Sequence, residues 1–186
     1  MTRLHRPLLL LAAVAALAAC SPDPEPPPPG DIPTVTLQEA ANAAYASEYA
    51  ESGALQLVDG HYEDSDLVVA DLDPLSARGD LDGDGREEFV VLLLTSSGGT
   101  GVFRDLYVLQ RDAAGAVSVS APVLLGDRVD VNALRIERGE IVVDLLVQGE
   151  NDPLCCPSQP VTYRFRMAGR DGIVETTGQR RVYLRQ

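Results

Sequence analysis

The sequence predicts an α+β domain that is predominantly β: an antiparallel meander sheet with one short N-terminal helix. Three observations predict it. Short apolar runs recur from position 54 to the C-terminus, and the last long one alternates with period two. Turn chemistry separates them, at Asp59-Gly60, in the glycine-rich stretch 96–101 and at Arg138-Gly139. A helix-start signature, Thr36-Leu-Gln-Glu39, precedes them all.

The helix comes first. Thr36 and Glu39 have capping-box spacing, in which the hydroxyl takes the Glu39 amide and the carboxylate reaches back. Leu37, Ala41, Ala44 and Tyr45 then fall on one helical face, with Gly53 as the outer bound, so the helix is expected to end between Ala44 and Ala50. Strands are expected at 54–58 and 61–63, joined by Asp59-Gly60, where both residues tolerate positive φ. An apolar segment follows at 67–72. Residues 89–95 and 102–111 flank the loop Ser-Ser-Gly-Gly-Thr-Gly. Further strands are expected at 117–125, 129–137 and 141–148, the last two sharing the Arg138-Gly139 turn. In 161–167, Val161, Tyr163, Phe165 and Met167 alternate with Thr162, Arg164 and Arg166, the pattern of a half-buried strand. Strands at 173–177 and 180–184 close the chain.

Upstream of this domain the sequence reads as an address. A short basic stretch with Arg3 and Arg6 leads into twelve uninterrupted apolar residues, 8–19. A spanning helix needs about 20 such residues, so this run fits a signal-peptide core instead. It ends Leu17-Ala18-Ala19-Cys20, which resembles the bacterial lipobox. That resemblance implies cleavage before Cys20, acylation of its thiol and a lipid bilayer as partner. Stable anchoring takes more than one acyl chain. Ser21 after the cysteine resembles an outer-membrane sorting signal, facing the periplasm if the host is Gram-negative. Residues 21–33 hold seven prolines, which fix φ and lack an N–H, so this stretch is expected to be a semi-rigid spacer. The expected organisation is 1–19 leader, 20–34 lipidated cysteine and tether, and 35–186 domain.

Charge narrows the partners. The 186-residue chain carries a formal −13, and loss of two leader arginines takes this to −15. Such a surface repels phosphate backbones, which argues against nucleic acid. All fifteen basic residues are Arg. This fits the codon bias of a GC-rich genome.

Two motifs carry candidate chemistry. In Asp80-Leu-Asp82-Gly-Asp84-Gly85-Arg86-Glu87-Glu88, acids alternate at positions one, three and five, with glycine at six for the sharp turn. Ca²⁺ takes six to eight oxygens, and this spacing wraps one side of such an ion. The Arg86 carbonyl falls at position seven and Glu88 at nine. Position twelve is Val91, so a full EF-hand is absent. The loop resembles the shorter Asp-x-Asp-x-Asp-Gly version that opens strands in integrin-type FG-GAP repeats, although only one copy is present and Glu88 replaces the usual Asp. An acidic turn without an ion is the plainer alternative.

The second motif is Asn151-Asp-Pro-Leu-Cys155-Cys156-Pro-Ser-Gln159. With Cys20 acylated, Cys155 and Cys156 are the remaining cysteines, and an oxidising compartment favours a disulfide. A vicinal bridge closes a strained ring, and strained disulfides are the labile ones. A covalent turn, two free thiols and a redox device all remain open. For catalysis, His61 is the one histidine outside the leader, and no hydrolase, zinc-protease or phosphate-loop motif is found.

Several stretches together resemble one group of bacterial lipoproteins to which no activity is assigned. They are Leu57-Val-Asp-Gly-His-Tyr-Glu63, Gly79-Asp-Leu-Asp-Gly-Asp-Gly85, Gly98-Gly-Thr-Gly-Val-Phe103, Leu125-Gly-Asp-Arg-Val129, Glu140-Ile-Val-Val-Asp144 and Asp152-Pro-Leu-Cys-Cys-Pro157. The likeness covers about residues 35–167, and Asn is commoner than Asp at the position of Asp82. The expectation is an envelope-anchored, non-enzymatic binding or structural domain stabilised by Ca²⁺, meeting an envelope protein or glycan. The alternatives are a periplasmic hydrolase using acidic residues and a thiol-redox responsive protein.

Overall fold

The computed structural model describes residues 33–65, 67–169 and 172–177. The leader, Cys20, most of the tether and the strand expected at 180–184 lie outside the described residues. The described elements are a one-turn helix, α1 (Leu37–Ala40), followed by β1 (Ala44–Ala46), β2 (Ala54–Gln56), β3 (His61–Glu63), β4 (Val68–Gly79), β5 (Glu88–Ser97) and β6 (Phe103–Arg111). Then come β7 (Val117–Val119), β8 (Val123–Asp127), β9 (Asp130–Glu137), β10 (Glu140–Val147), β11 (Gln159–Ala168) and β12 (Gly172–Glu175). The fold is predominantly antiparallel β with one short helix.

Two meanders account for most of it. One sheet runs β3-β4-β5-β6-β7, with β8 also paired to β6; the other runs β12-β11-β10-β9. The pair β1-β2 stands apart as a small ribbon. The larger sheet is covered on both faces, which explains the unbroken apolar reading of β5. Val90 and Leu92 join Leu106, Val108, Ile141, Val143 and Phe165 in a core between the sheets. Phe89, Val91 and Leu93 join Tyr45, Leu55, Leu57 and Tyr107 in a second core under the N-terminal segment. A strand buried on two sides has no solvent face to make polar, so alternation vanishes from its sequence. The second sheet packs one face, with Ile141, Val143 and Phe165, on the core between the sheets, while on its other face Val142 is buried between Arg135 and Arg164. Its outer face carries Arg135 paired with Glu137 and Asp144, and Arg166 paired with Glu140.

The helix is shorter than expected. Its capping box is present as read, Glu39 N–H donating to Thr36 Oγ1 at 3.1 Å and Thr36 N–H to Glu39 Oε2 at 2.8 Å. After Ala40 the chain turns, and Ala44 and Tyr45 belong to β1 rather than to the helix. The fully buried Tyr45 ring drives this. It sits edge-on to Tyr107, 4.9 Å between centroids, and its hydroxyl donates to the Ala40 carbonyl at 2.7 Å. Burying one tyrosine outweighs the small propensity gain of another helical turn.

Two further differences have local causes. The strand expected at 67–72 continues to Gly79, with its register to β5 shifting between Leu72 and Ser76. Pro74 lies in that shift, where its missing N–H interrupts no ladder bond. The strand expected at 117–125 divides into β7 and β8, which pair with successive halves of β6.

Candidate metal centre

The acidic loop connects the end of β4 to the start of β5, the strand both cores enclose. Its fold is written in carboxylate-to-amide bonds. Asp80 accepts from Gly83 N–H at 2.7 Å and from Gly85 N–H at 3.1 Å. Asp82 accepts from Asp84 N–H at 3.0 Å. Gly83 and Gly85 both take positive φ, 82° and 84°, which is the conformation this tight path demands. Behind the loop, Leu81 is buried in the inter-sheet core, and the Arg138-Gly139 turn of β9–β10 packs against the Asp80 and Leu81 carbonyls. A Cβ at Gly79 would lie 3.0 Å from Ile136 Cγ2, so β4 ends in close contact with β9.

Asp80, Asp82 and Glu88 each offer a carboxylate oxygen, and these lie within 4.8 Å of one another. This set could hold a metal ion. Asp80 and Asp82 are exposed, whereas Glu88 is 4% exposed. Glu88 accepts one hydrogen bond, from Leu81 N–H at 2.7 Å. Burial pushes its carboxyl up to about 7 against that bond, and Asp82, Asp84 and Asp80 push it the same way. A cation set among these oxygens would oppose both effects. Asp84 stands differently from its position in the motif. Its carboxylate accepts from Arg86 N–H at 2.8 Å and pairs with the Arg86 guanidinium, which holds it below the usual carboxylate range although burial raises it. Three of the expected carboxylates are therefore gathered, whereas the Asp84 carboxylate is paired with the Arg86 guanidinium, whose residue was expected to offer only its carbonyl.

The cysteine pair lies in the β10–β11 loop, between strands in which Val143 is the partner of Tyr163. The Sγ atoms of Cys155 and Cys156 are 2.29 Å apart. Both residues are exposed. Asp152 organises the loop: it accepts from Gly149 N–H, Ser158 N–H and the Ser158 hydroxyl, each at 2.8 Å. Those bonds, led by the Gly149 amide, hold its carboxyl below the ordinary range.

His61 lies on β3, the exposed edge of the larger sheet. Its Nδ1 is 2.7 Å from Asp71 Oδ1, and its Nε2 is 3.9 Å from Glu63 Oε2. The bond to Asp71 leads in raising its pKa. All three side chains are more than half exposed, so they form a solvated patch.

One residue escaped the sequence reading. Asp105 on β6 is 5% exposed, with its carboxyl pushed up to about 6 by burial and by the nearby charge of Glu48. The signal was present in period-two form: Phe103, Asp105, Tyr107 and Leu109 share a strand face, and Asp105 is the polar member.

Comparison with family models, with characterised proteins and with solved structures gives no match.

Proposed function

We propose that this chain is an envelope-anchored lipoprotein whose domain works by binding rather than by catalysis and is stabilised by Ca²⁺ at Asp80, Asp82 and Glu88. The observation that carries the metal part is the convergence of those three oxygens at the root of β5, with Glu88 buried there beside two other acids. An all-oxygen donor set selects a hard cation, and Ca²⁺ is the hard cation whose loops use this Asp-x-Asp spacing. Its role is structural. The loop joins β4 to β5 and backs onto the β9–β10 turn, so an ion there would tie the two sheets together.

The test is thermal unfolding with Ca²⁺ and with chelator. A ligand bound only by the folded state stabilises by RT ln(1 + [L]/Kd), about 2.7 kcal/mol at a hundredfold excess over Kd. For a domain of this size that corresponds to a rise of roughly 5–10 °C. Asp80→Asn and Glu88→Gln should each abolish the rise, while Asp84→Asn should leave most of it. Identical wild-type curves in Ca²⁺ and chelator would reduce the loop to a turn.

Anchoring rests on the leader ending at Cys20 and the proline spacer behind it. Cys20→Ala should accumulate as an unprocessed precursor in the membrane fraction. A mature product cleaved at another position would end that part of the reading.

A further inference from the structure

We propose a second binding site, for a small primary ammonium ion on an apolar body, in the pocket whose inner wall is Asp105. It stands apart from the acidic loop. Glu88 shares its strand face with Val90 and Leu92, toward the inter-sheet core, whereas Asp105 shares its face with Tyr107, toward the N-terminal segment.

The cavity holds about 460 Å³ and is lined by Ser47, Glu48, Tyr49, Asp105, Tyr107 and Leu124, among others. That lies in the range that accepts small organic molecules. Its walls are mostly apolar or aromatic. Tyr49 stacks on Phe103, centroids 4.9 Å apart, and the Tyr107 hydroxyl donates to the Ala46 carbonyl at 2.8 Å, so both rings are held in place.

What marks the cavity as a site is that Asp105 has no partner. The other buried acids of the larger sheet are answered. Asp73, 7% exposed, accepts from Leu75 N–H at 2.8 Å and pairs with Arg104 at 3.3 Å. Glu88 has the Leu81 amide. Asp105 has neither hydrogen bond nor ion pair among the described residues, and its charged neighbour is Glu48, of the same sign. Buried carboxylates are ordinarily paired, because desolvation without compensation costs several kcal/mol. A group kept in that state, at the wall of an aromatic pocket, is completed by a cation from outside. An ammonium supplies the donors Asp105 lacks. Tyr49 and Tyr107 line the same cavity, and an aromatic ring that a bound ammonium could approach from its face would add cation–π attraction. The net charge of −13 also draws cations toward the surface.

The probe is benzylamine, added to the full lipidated chain in neutral detergent with chelator present, so that the metal loop plays no part. Benzylamine should bind saturably by calorimetry, and benzyl alcohol, equal in shape but uncharged, should not. Asp105→Asn keeps the side-chain shape and should lose at least roughly tenfold in benzylamine affinity, the loss of a charge-assisted hydrogen bond. Its circular dichroism and melting curve establish that the variant is folded. Leu124→Trp, which fills the mouth from a side chain already at the surface, should block binding with Asp105 intact. A lysine side chain carries the same group, so cadaverine and a capped lysine peptide are compared. Stronger binding of cadaverine assigns a free amine, and stronger binding of the peptide assigns a protein lysine. Equal affinity of benzylamine and benzyl alcohol, or unchanged affinity in folded Asp105→Asn, overturns the proposal.

Discussion

Arg111 shows how much one side chain can organise. Its guanidinium donates to both Glu39 oxygens, at 2.6 and 2.7 Å, to the Pro33 carbonyl at 2.8 Å and to the Gly115 carbonyl at 2.8 Å. It ties the N-terminal stretch 33–39 to the β6–β7 turn, more than seventy positions away. The Arg111 bond is the first cause of the fall in the Glu39 carboxyl, from its ordinary 4.5 to about 2. A depressed folded-state pKa stabilises above the unfolded value and ceases to do so as the group protonates. Stability from this pair is thus complete above about pH 5 and is lost as pH falls from about 4.5 toward 2. Arg111→Met should cost roughly 1–2 kcal/mol in urea at pH 7 and much less at pH 2.5; an equal loss at both would show that packing, not the pair, holds the segment. Asp105 has the opposite sign. The groups around it are Glu48 from the N-terminal segment and Tyr107, itself coupled to Tyr45 and Tyr49. Its raised pKa means folding favours the protonated acid, so stability falls as pH rises through about 6. Asp105→Asn should therefore gain roughly 1–3 kcal/mol at pH 8 and almost nothing at pH 4. A variant no more stable than wild type at pH 8 would mean the carboxylate is compensated.

At the scale of elements, what could be read from the sequence was whatever local geometry decides. Asp59-Gly60 and Arg138-Gly139 both adopt positive φ at both positions, and each joins neighbouring antiparallel segments. The capping box closed because all its atoms lie within four residues. Tertiary burial decided the rest. Tyr45 left the helical pattern for a ring contact with Tyr107, sixty-two positions away. The limit of β4 was hidden by Pro74, which marks a break in sequence but only a bulge in the sheet. In the acidic loop the spacing named Asp80, Asp82 and Glu88, whose carboxylates the fold brings together, but gave no sign that Arg86 would pair with Asp84. Side-chain competition within a loop leaves no periodic trace. The β10–β11 loop carries its own prediction. We expect Cys155 and Cys156 to form a vicinal disulfide in envelope-purified protein. Alkylation without reduction followed by mass spectrometry should find neither cysteine modified, and two modified cysteines would exclude the bridge. The closed ring is so short that replacing both by Ser should cost at most about 2 kcal/mol.

Across the whole molecule, the larger sheet lies between two cores, and the N-terminal segment forms one outer layer. That layer is fastened where it begins. Val35 is fully buried, its carbonyl accepts from Arg78, and the Pro33 carbonyl accepts from Arg111. Arg78 belongs to β4 and also stacks over the Phe89 ring at 3.9 Å, while Arg111 closes β6. The described chain is therefore clamped from its first residue, Pro33, onward. A pull on the chain ahead of Pro33 would thus be borne first by two guanidinium groups seated on β4 and β6, and only after they gave way by the one-turn helix behind them.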